Sequence, residues 1–114
     1  MNDCLFCKII EGQIPSTKLY EDDDCLAFLD INPQAAKHIV LIPKMHVANV
    51  LECVELGTEL PGKLICAAAN IAKEQGLAEG GFRLVTNCGA NAMQSVEHFH
   101  IHILGGSQLS GEMC

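Results

Sequence analysis

The stretch that decides the fold reads His98-Phe99-His100-Ile101-His102-Ile103-Leu104. Successive side chains of a β-strand point to opposite faces, so a strand here carries three imidazoles on one face. Phe99, Ile101 and Ile103 then lie on the other face, where they can pack into a core. No packing requirement selects three imidazoles in strict alternation. We therefore interpret the histidine face as functional rather than as solvated surface.

Two chemistries fit this array of histidines. His-x-His on a strand has metal-ligand spacing, and three neutral imidazoles with one water would form an open hydrolytic zinc site. Alternatively, the central imidazole is a nucleophile whose neighbours bind an anionic substrate and transfer protons. Histidine titrates near 6.5, so one ring can attack while another donates hydrogen bonds. The spacing alone does not decide between the two.

Working outward from the histidine strand, alternating apolar residues and turn signals predict five strands, and helical periodicity predicts one long helix and two short ones. The strands are expected over Lys18–Glu21, Cys25–Ile31, Lys37–Pro43, Phe82–Asn87 and His98–Leu104. The helices are expected over Cys4–Glu11, His46–Cys53 and Pro61–Gln75. Strands in hairpin-like succession with one long helix to cover them indicate an α+β fold. Residues 1–114 form a single domain by length.

The composition excludes several classes of function. The chain has 14 acidic and 7 basic side chains, and Arg83 is its single arginine. Nucleic-acid binding and attachment to anionic membranes both depend on basic residues, so neither is expected. The longest apolar run, 64–69, is far shorter than the roughly 20 residues of a membrane span. The first residues lack the pattern of a signal peptide, which predicts a cytoplasmic protein whose seven cysteines are reduced thiols or metal ligands.

The histidine strand and its flanks, QSVEHFHIHILGG over residues 94–106, resemble the signature of the histidine-triad (HIT) superfamily. The segments CLFCKIIEGQIP (4–15), YEDDDCLAFLDINPQAAKHIVLIPKMH (20–46) and GFRLVTNCGANA (81–92) are also similar to its nucleotide-binding Hint branch. The resemblance implies a HIT-like fold: a five-stranded antiparallel sheet with one long helix and short N-terminal and connecting helices.

The resemblance also implies roles for four residues in catalysis. His100, the middle histidine, is expected to attack the α-phosphate of a nucleotide and form a nucleotidyl-histidine that water then hydrolyses. His102 is expected to donate to the phosphate oxygens, and Ser95 to contact the phosphate and the leaving group. His38 matches a fourth histidine close to the nucleophile. The implied substrate is a purine nucleoside 5′-phosphoramidate or a similar AMP-X compound.

Further residues match the nucleotide site of the family. Asp30 corresponds to the aspartate that binds the ribose, and Ile31 follows it. Asn87 matches an asparagine of the phosphate or ribose region, and the loop 87–94 is expected to border the pocket. Met93 and Gln94 precede Ser95 where the family usually has Gly-Gln-Ser, so a side chain replaces glycine at a close approach to phosphate.

The pair Cys4-x-x-Cys7 is half of a tetrahedral zinc site by spacing. In bacterial-type family members, the resemblance implies that His46 and His98 complete the site. Such a Cys₂His₂ site is closed and therefore structural. It would leave only His100 and His102 for a catalytic metal, which disfavours the metallohydrolase interpretation. We assign no chemistry to the remaining cysteines, Cys25, Cys53, Cys66, Cys88 and Cys114.

The leading hypothesis is therefore a nucleotidyl hydrolase with a covalent intermediate on His100 and a structural zinc ion. One alternative is a non-enzymatic nucleotide-binding or interaction module, suggested by Met93 in the phosphate loop. Another is a metal-dependent hydrolase with the triad as ligands. The expected partners are an AMP-like purine nucleotide and a second copy of the chain, because the family resemblance implies a homodimer with its sheets joined across a two-fold axis.

Overall fold

The computed structural model describes residues 3–112, and Cys114 lies outside them. Five strands form one antiparallel sheet in the order β1-β2-β3-β5-β4. The strands are β1 (Lys18–Glu21), β2 (Cys25–Leu29), β3 (Lys37–Pro43), β4 (Phe82–Val85) and β5 (Ile101–Gly105). The helices are α1 (Leu5–Ile10), α2 (Val50–Glu55) and α3 (Glu59–Glu74). The predicted α+β architecture is confirmed.

The last strand begins at Ile101, three residues later than predicted. The residues before it bond to side chains and to a loop instead of a neighbouring strand. The Phe99 amide donates to the Val47 carbonyl at 2.7 Å, and the Thr86 hydroxyl donates to the His100 carbonyl at 2.7 Å. Residues 98–100 are therefore held outside the regular ladder, and the His98 carbonyl accepts from a side chain of the site described below.

The helix boundaries differ from prediction for reasons of capping. The connecting helix α2 begins at Val50 rather than His46, because the Asn49 side chain caps it by accepting from the Glu52 amide at 3.1 Å. Glu52 in turn accepts from the Ala48 amide at 2.8 Å, which resembles a capping box. The long helix α3 starts two residues before Pro61, since the first-turn amides have no partner inside a helix and proline is tolerated there.

Two apolar layers cover the two faces of the sheet. Helix α3 packs on one face, where Leu64, Ala68 and Ile71 meet Phe99, Ile101 and Ile103. Helix α1 packs on the other face, where Phe6 and Ile9 meet Leu26, Phe28, Val40 and Ile42. No helix of residues 3–112 is both long and apolar enough to cross a membrane. The histidine strand thus points its apolar side chains toward α3 and its imidazoles toward α1, as the alternation predicted.

Candidate functional site

A cavity of about 490 Å³ opens on the α1 side of the sheet, beside the histidine strand. One part of its wall is polar and contains Asp30, His38, Ser95, His100 and His102. The other part is apolar and comes from α1, β2 and their flanks, including Leu5, Phe6, Ile9, Ile14, Phe28, Ile31 and Val40. We call this space the triad cavity. Its two-sided wall suits a ligand with one flat apolar end and one anionic end.

His100 is buried and held in one tautomer. Its Nδ1 lies 2.7 Å from the carbonyl oxygen of His98, so Nδ1 carries the proton and donates it to that oxygen. The other ring nitrogen, Nε2, then holds a free electron pair on a residue that lines the triad cavity. A ring with one nitrogen fixed as donor and the other free is what nucleophilic attack by imidazole requires.

His38 and His102 form a directed hydrogen-bond chain. The amide of Gln34 donates to His38 Nδ1 at 3.0 Å, so the proton of the neutral His38 ring is on Nε2. His38 Nε2 lies 2.8 Å from His102 Nδ1 and donates to it. The neutral His102 ring therefore carries its own proton on Nε2. This chain makes His102 a hydrogen-bond donor beside His100, whose ring centroid is 5.0 Å away.

Both rings of this chain are kept neutral by their surroundings. Burial lowers the pKa of His102 to about 4, assisted by the neighbouring rings of His100 and His38. Burial also lowers the pKa of His38, although the Asp30 carboxylate opposes the shift. Asp30 Oδ2 is 3.5 Å from His38 Nε2, farther than His102 Nδ1. The proton of His38 is therefore shared with His102 rather than held in an ion pair.

Asp30 and Ile31 lie at the end of β2, on the rim of the triad cavity. The Asp30 amide bonds the His38 carbonyl at 3.0 Å, and Asp30 Oδ1 accepts from the Asn32 amide at 2.7 Å. These bonds fix the carboxylate while leaving acceptor capacity on both oxygens. The Ile31 side chain is 92 % exposed, an unusual position for an isoleucine that lines a cavity.

Four further side chains converge at the edge of α1 and form what we call the metal cluster: Cys4, Cys7, His46 and His98. Their ligand atoms all lie within 4.8 Å of one another. His98 Nδ1 is 3.3 Å from Cys4 Sγ, 3.6 Å from Cys7 Sγ and 3.1 Å from His46 Nδ1, and Cys7 Sγ is 3.3 Å from His46 Nδ1. Ligands of tetrahedral zinc, at bond lengths of about 2.0–2.3 Å, stand about 3.3–3.8 Å apart. The cluster therefore fits a zinc ion.

The hydrogen bonds around the metal cluster agree with that fit. His98 Nε2 donates to the Pro43 carbonyl at 2.9 Å, which leaves Nδ1 unprotonated and turned toward the other three side chains. The Cys7 amide donates to Cys4 Sγ at 3.4 Å, so the cap of α1 orients this sulfur within the cluster. A histidine whose second nitrogen donates to a carbonyl is the usual arrangement at metal sites.

Comparison with known proteins identifies this arrangement. The model of the HIT domain family matches residues 11–109. The chain belongs to the HIT family. A 14 kDa zinc-binding protein of Brassica juncea is 46 % identical over 110 residues, which cover 95 % of this chain and 96 % of the relative. The adenylylsulfatase HINT1 of Arabidopsis thaliana is 45 % identical over 108 residues, which cover 93 % of this chain and 73 % of the relative.

Solved HIT structures agree over the full chain. A HIT family hydrolase from Clostridium thermocellum superposes with a TM-score of 0.94 at 44 % identity, covering 100 % of this chain and 99 % of that one. A histidine triad protein from Clostridium difficile gives a TM-score of 0.93 at 43 % identity and covers 98 % and 97 %. The HIT-like fold inferred from the sequence is therefore confirmed.

The loop 87–96 of this HIT domain is held mainly by its own hydrogen bonds. Gln94 accepts from the Gly89 amide at 2.9 Å and donates to the Ala48 and Val96 carbonyls at 2.7 and 2.9 Å. Asn87 Nδ2 donates to the Ala92 carbonyl at 2.9 Å. Asn87, Met93 and Gln94 are not among the described residues that line the triad cavity, whereas Ser95 is. The Asn87 and Gln94 side chains therefore shape the loop that presents Ser95.

Met93 takes the left-handed conformation that the family's glycine would adopt without cost. Its φ is 62° and its ψ 39°, and it is the one non-glycine residue of 3–112 with positive φ. A left-handed conformation costs an ordinary residue about 1–2 kcal/mol. The side chain is 84 % exposed and points away from the core. The loop thus has the left-handed turn that glycine favours. The Met93 side chain, which was expected to reach toward the phosphate, points into solvent instead.

The sequence analysis did not predict three groups that contribute to the HIT site. The Gln34 amide and the His98 carbonyl are backbone groups, which no side-chain pattern reveals. Phe6 packs edge to face against both His98 and His100, with ring centroids 5.9 and 5.0 Å apart. Its place between Cys4 and Cys7 was the only available hint, because a metal at those cysteines would fix whatever lies between them.

Proposed function

We propose that this HIT protein is a nucleotidyl hydrolase that cleaves AMP-X bonds, with purine nucleoside 5′-phosphoramidates as the substrate class, through a covalent intermediate on His100. The observation that carries this proposal is the bond from His100 Nδ1 to the His98 carbonyl, which leaves Nε2 free at the triad cavity. The relatives named as hydrolases and as an adenylylsulfatase support the reaction class.

The reaction divides into two displacements at phosphorus. His100 Nε2 attacks the α-phosphorus, a P–N bond forms to the ring, and the bond to the leaving group breaks. The leaving amine takes up a proton from solvent, and the water that attacks in the second displacement returns one to solvent. Water then attacks the same phosphorus, the bond to His100 breaks, and AMP is released with the ring neutral again. His102 Nε2–H and the Ser95 hydroxyl donate to the phosphate oxygens as negative charge builds on them.

The rest of the nucleotide fits the two-sided wall. The Asp30 carboxylate has free acceptor capacity for both ribose hydroxyls, because the Asn32 amide uses only one lone pair of Oδ1. The apolar wall around Phe6, Phe28 and Ile31 suits a flat purine. Burial of the exposed Ile31 side chain under a base would remove apolar surface from water at about 25 cal/mol per Å².

A rapid acid quench tests the covalent step. The protein is mixed with adenosine 5′-phosphoramidate, quenched within the first turnover, and examined by intact mass and peptide mapping. We expect an AMP adduct on the peptide that contains His100. Turnover without any such adduct contradicts the covalent mechanism, and AMP binding without turnover leaves the nucleotide-binding module as the correct function.

The second enzymatic candidate, a metal-dependent hydrolase with the triad as ligands, would share His98 with the metal cluster. Among residues 3–112, one further group of possible ligands comes together. Asp30, His38 and His102 bring three ligand atoms within 4.8 Å of one another. However, His38 Nδ1 accepts a hydrogen bond from the Gln34 amide, so its Nε2 is protonated and has no electron pair for a metal. The hydrogen bonding of His38 therefore favours the hydrolase with a nucleophilic histidine.

The titration of His102 tests whether the His38–His102 pair is neutral. An ordinary histidine has a pKa of 6.5, but His102 titrates near 4. Its neutral, donating form therefore persists below pH 6.5 and is lost as the pH falls through about 4. We expect the nitrogen-15 NMR signals of the His102 ring, followed between pH 3 and pH 8, to keep the shifts of the neutral ring well below pH 6. A His102 signal that titrates near 6.5 would contradict a neutral His102 donor.

We propose that the metal cluster binds one structural zinc ion. The donor set, the distances near those of a tetrahedron and the Pro43 carbonyl on His98 support this assignment. The 14 kDa zinc-binding relatives from Brassica juncea and Zea mays support it as well. Zinc there would hold α1 against the sheet and supply no chemistry to the reaction, because all four of its positions are filled by the protein.

We also propose that two copies of the chain pair along β4. This strand lies at the edge of the sheet, and Phe82 and Leu84 on it are 37 % and 36 % exposed. An apolar groove of about 160 Å³ between β4 and α3 contains Leu84 and the half-exposed Ile65. An unpaired edge beside an apolar groove suits a second copy of the same strand and groove.

Leu84→Arg tests this dimer. Arginine at the centre of the edge would bury charge in the interface, so the variant is expected to sediment as a single 12.3 kDa chain while the parent sediments at twice that mass. Leu56→Arg is the matched control, since Leu56 is 57 % exposed and lies away from β4. A parent protein that sediments as one chain at micromolar concentration refutes the dimer.

A further inference from the structure

The nucleophile and the metal cluster meet along one short stretch of chain. His98 is a ligand candidate, and its backbone carbonyl accepts the Nδ1 proton of His100. The side chain of His98 is completely buried and His100 is 4 % exposed. Whatever fixes His98 also fixes the acceptor that holds the His100 tautomer.

A second connection runs through α1. Cys4 is the N-cap of this helix and Cys7 lies in its first turn, so a metal that binds both would fix that turn. Phe6 lies between the two cysteines and is 7 % exposed. Its ring meets the His100 ring at an angle of 83° with centroids 5.0 Å apart, and it meets Phe28 at 5.7 Å. The first turn of α1 therefore contacts the ring of His100 through Phe6.

We propose that Phe6 is a positioning residue that couples the metal cluster to the nucleophile, so that zinc binding and nucleotide binding strengthen each other. The choice of AMP as the ligand rests on the proposed function, whereas the contacts of Phe6 and the His98 carbonyl with His100 do not. With zinc bound, Phe6 and the His98 carbonyl hold His100 from two directions. Without zinc, the first turn of α1 is tied to the sheet by sulfur–imidazole contacts of 3.3–3.6 Å and apolar packing instead of metal bonds, so Leu5, Phe6 and Ile9 of the triad cavity wall are held less firmly.

The coupling is reciprocal by thermodynamic linkage. If zinc raises the affinity for AMP by some factor, AMP raises the affinity for zinc by the same factor. Coupling between two sites in one protein is typically about 5–150-fold. We expect removal of zinc to weaken AMP binding by about 10-fold, because one wall of the cavity and one constraint on His100 are loosened together.

Calorimetric titration with AMP tests the coupling in the full chain, zinc-loaded and after chelation, with the thiols kept reduced. Phe6→Leu keeps an apolar side chain in the core but removes the flat ring, and its melting temperature reports whether it folds. In this variant we expect AMP affinity to change less than about threefold between the two metal states. Ile10→Ala is the matched control. Ile10 lies on the same helix and packs against the same apolar layer, but it is not among the described residues that line the triad cavity, so this variant should retain the full coupling.

Nitrogen-15 NMR of the imidazoles gives a readout that needs neither turnover nor AMP. Zinc-loaded protein should show His100 as a single sharp Nδ1–H tautomer, and chelated protein should show a shifted or broadened signal. Where AMP binds, equal affinity with and without zinc overturns the proposal. Where AMP does not bind at all, the proposed function fails instead, and an unchanged His100 signal after chelation then overturns the coupling on its own.

Discussion

Replacing His100 with alanine is expected to lower kcat for adenosine 5′-phosphoramidate by at least about 10⁴-fold, because removal of a covalent nucleophile costs rate factors of that order. AMP should still bind, since the Asp30 carboxylate, the His102 donor and the apolar wall remain. Single-turnover kinetics with calorimetric binding of AMP separates the two effects. Activity close to that of the parent would show that another group attacks phosphorus.

His100→Gly sharpens the same test. This variant leaves a space of one imidazole beside the phosphate site, and added imidazole is expected to restore part of the turnover as a diffusible nucleophile. The restored rate should rise with imidazole concentration, and no AMP should remain attached to the protein after an acid quench. His102→Ala retains the nucleophile, so it should still accumulate an adduct on His100. An adduct on any other residue would reassign the nucleophile.

Loss of the metal is expected to have the largest effect on stability. A ligand that binds only the folded state stabilises it by about 4 kcal/mol when its free concentration is 1,000-fold above Kd. Chelation of the zinc-loaded protein should therefore lower the melting temperature by on the order of 15 °C for a chain of this size. Cys7→Ser should lose stoichiometric zinc and melt at the temperature of the chelated parent, with no further decrease when chelator is added.

Cys66→Ser is the control for the loss of a thiol. Cys66 is a free cysteine on the exposed side of α3, remote from the metal cluster. This variant should keep one zinc ion per chain and remain sensitive to chelation. Zinc content measured by atomic emission, together with thermal melts, decides the outcome. Equal melting temperatures of the parent with and without chelator would show that the cluster contributes nothing to stability.

The alternation in residues 98–104 was sufficient to predict that the three imidazoles share one face of the sheet, opposite the apolar side chains. Side-chain direction in an extended chain depends only on local geometry, so the prediction survived although the ladder itself begins at Ile101. The boundary was wrong because the bonds that replace the ladder come from Val47 and Thr86, which are distant in sequence. Local pattern indicates direction, whereas long-range partners decide where a strand begins.

The tautomers and the neutral state of the His38 and His102 rings could not be predicted from the sequence. That His102 donates from Nε2 follows from a backbone amide four residues before His38 and from a 2.8 Å contact between two strands. That both rings stay neutral follows from burial, which no residue type encodes. The identity of Met93, by contrast, correctly drew attention to its loop, but only the backbone dihedral angles show that the chain keeps the turn of a glycine.

The hydrogen-bond chain through His38 and His102 has no ionisable group at its inner end. It begins at the Gln34 amide, a group that does not ionise, so it can polarise and orient but cannot import a proton from behind the site. A proton that reaches His102 therefore comes from the side of the triad cavity, where the proposed substrate would bind. In the proposed reaction, departure of the leaving group would therefore vacate the in-line position on phosphorus and also open the route by which hydrolytic water arrives.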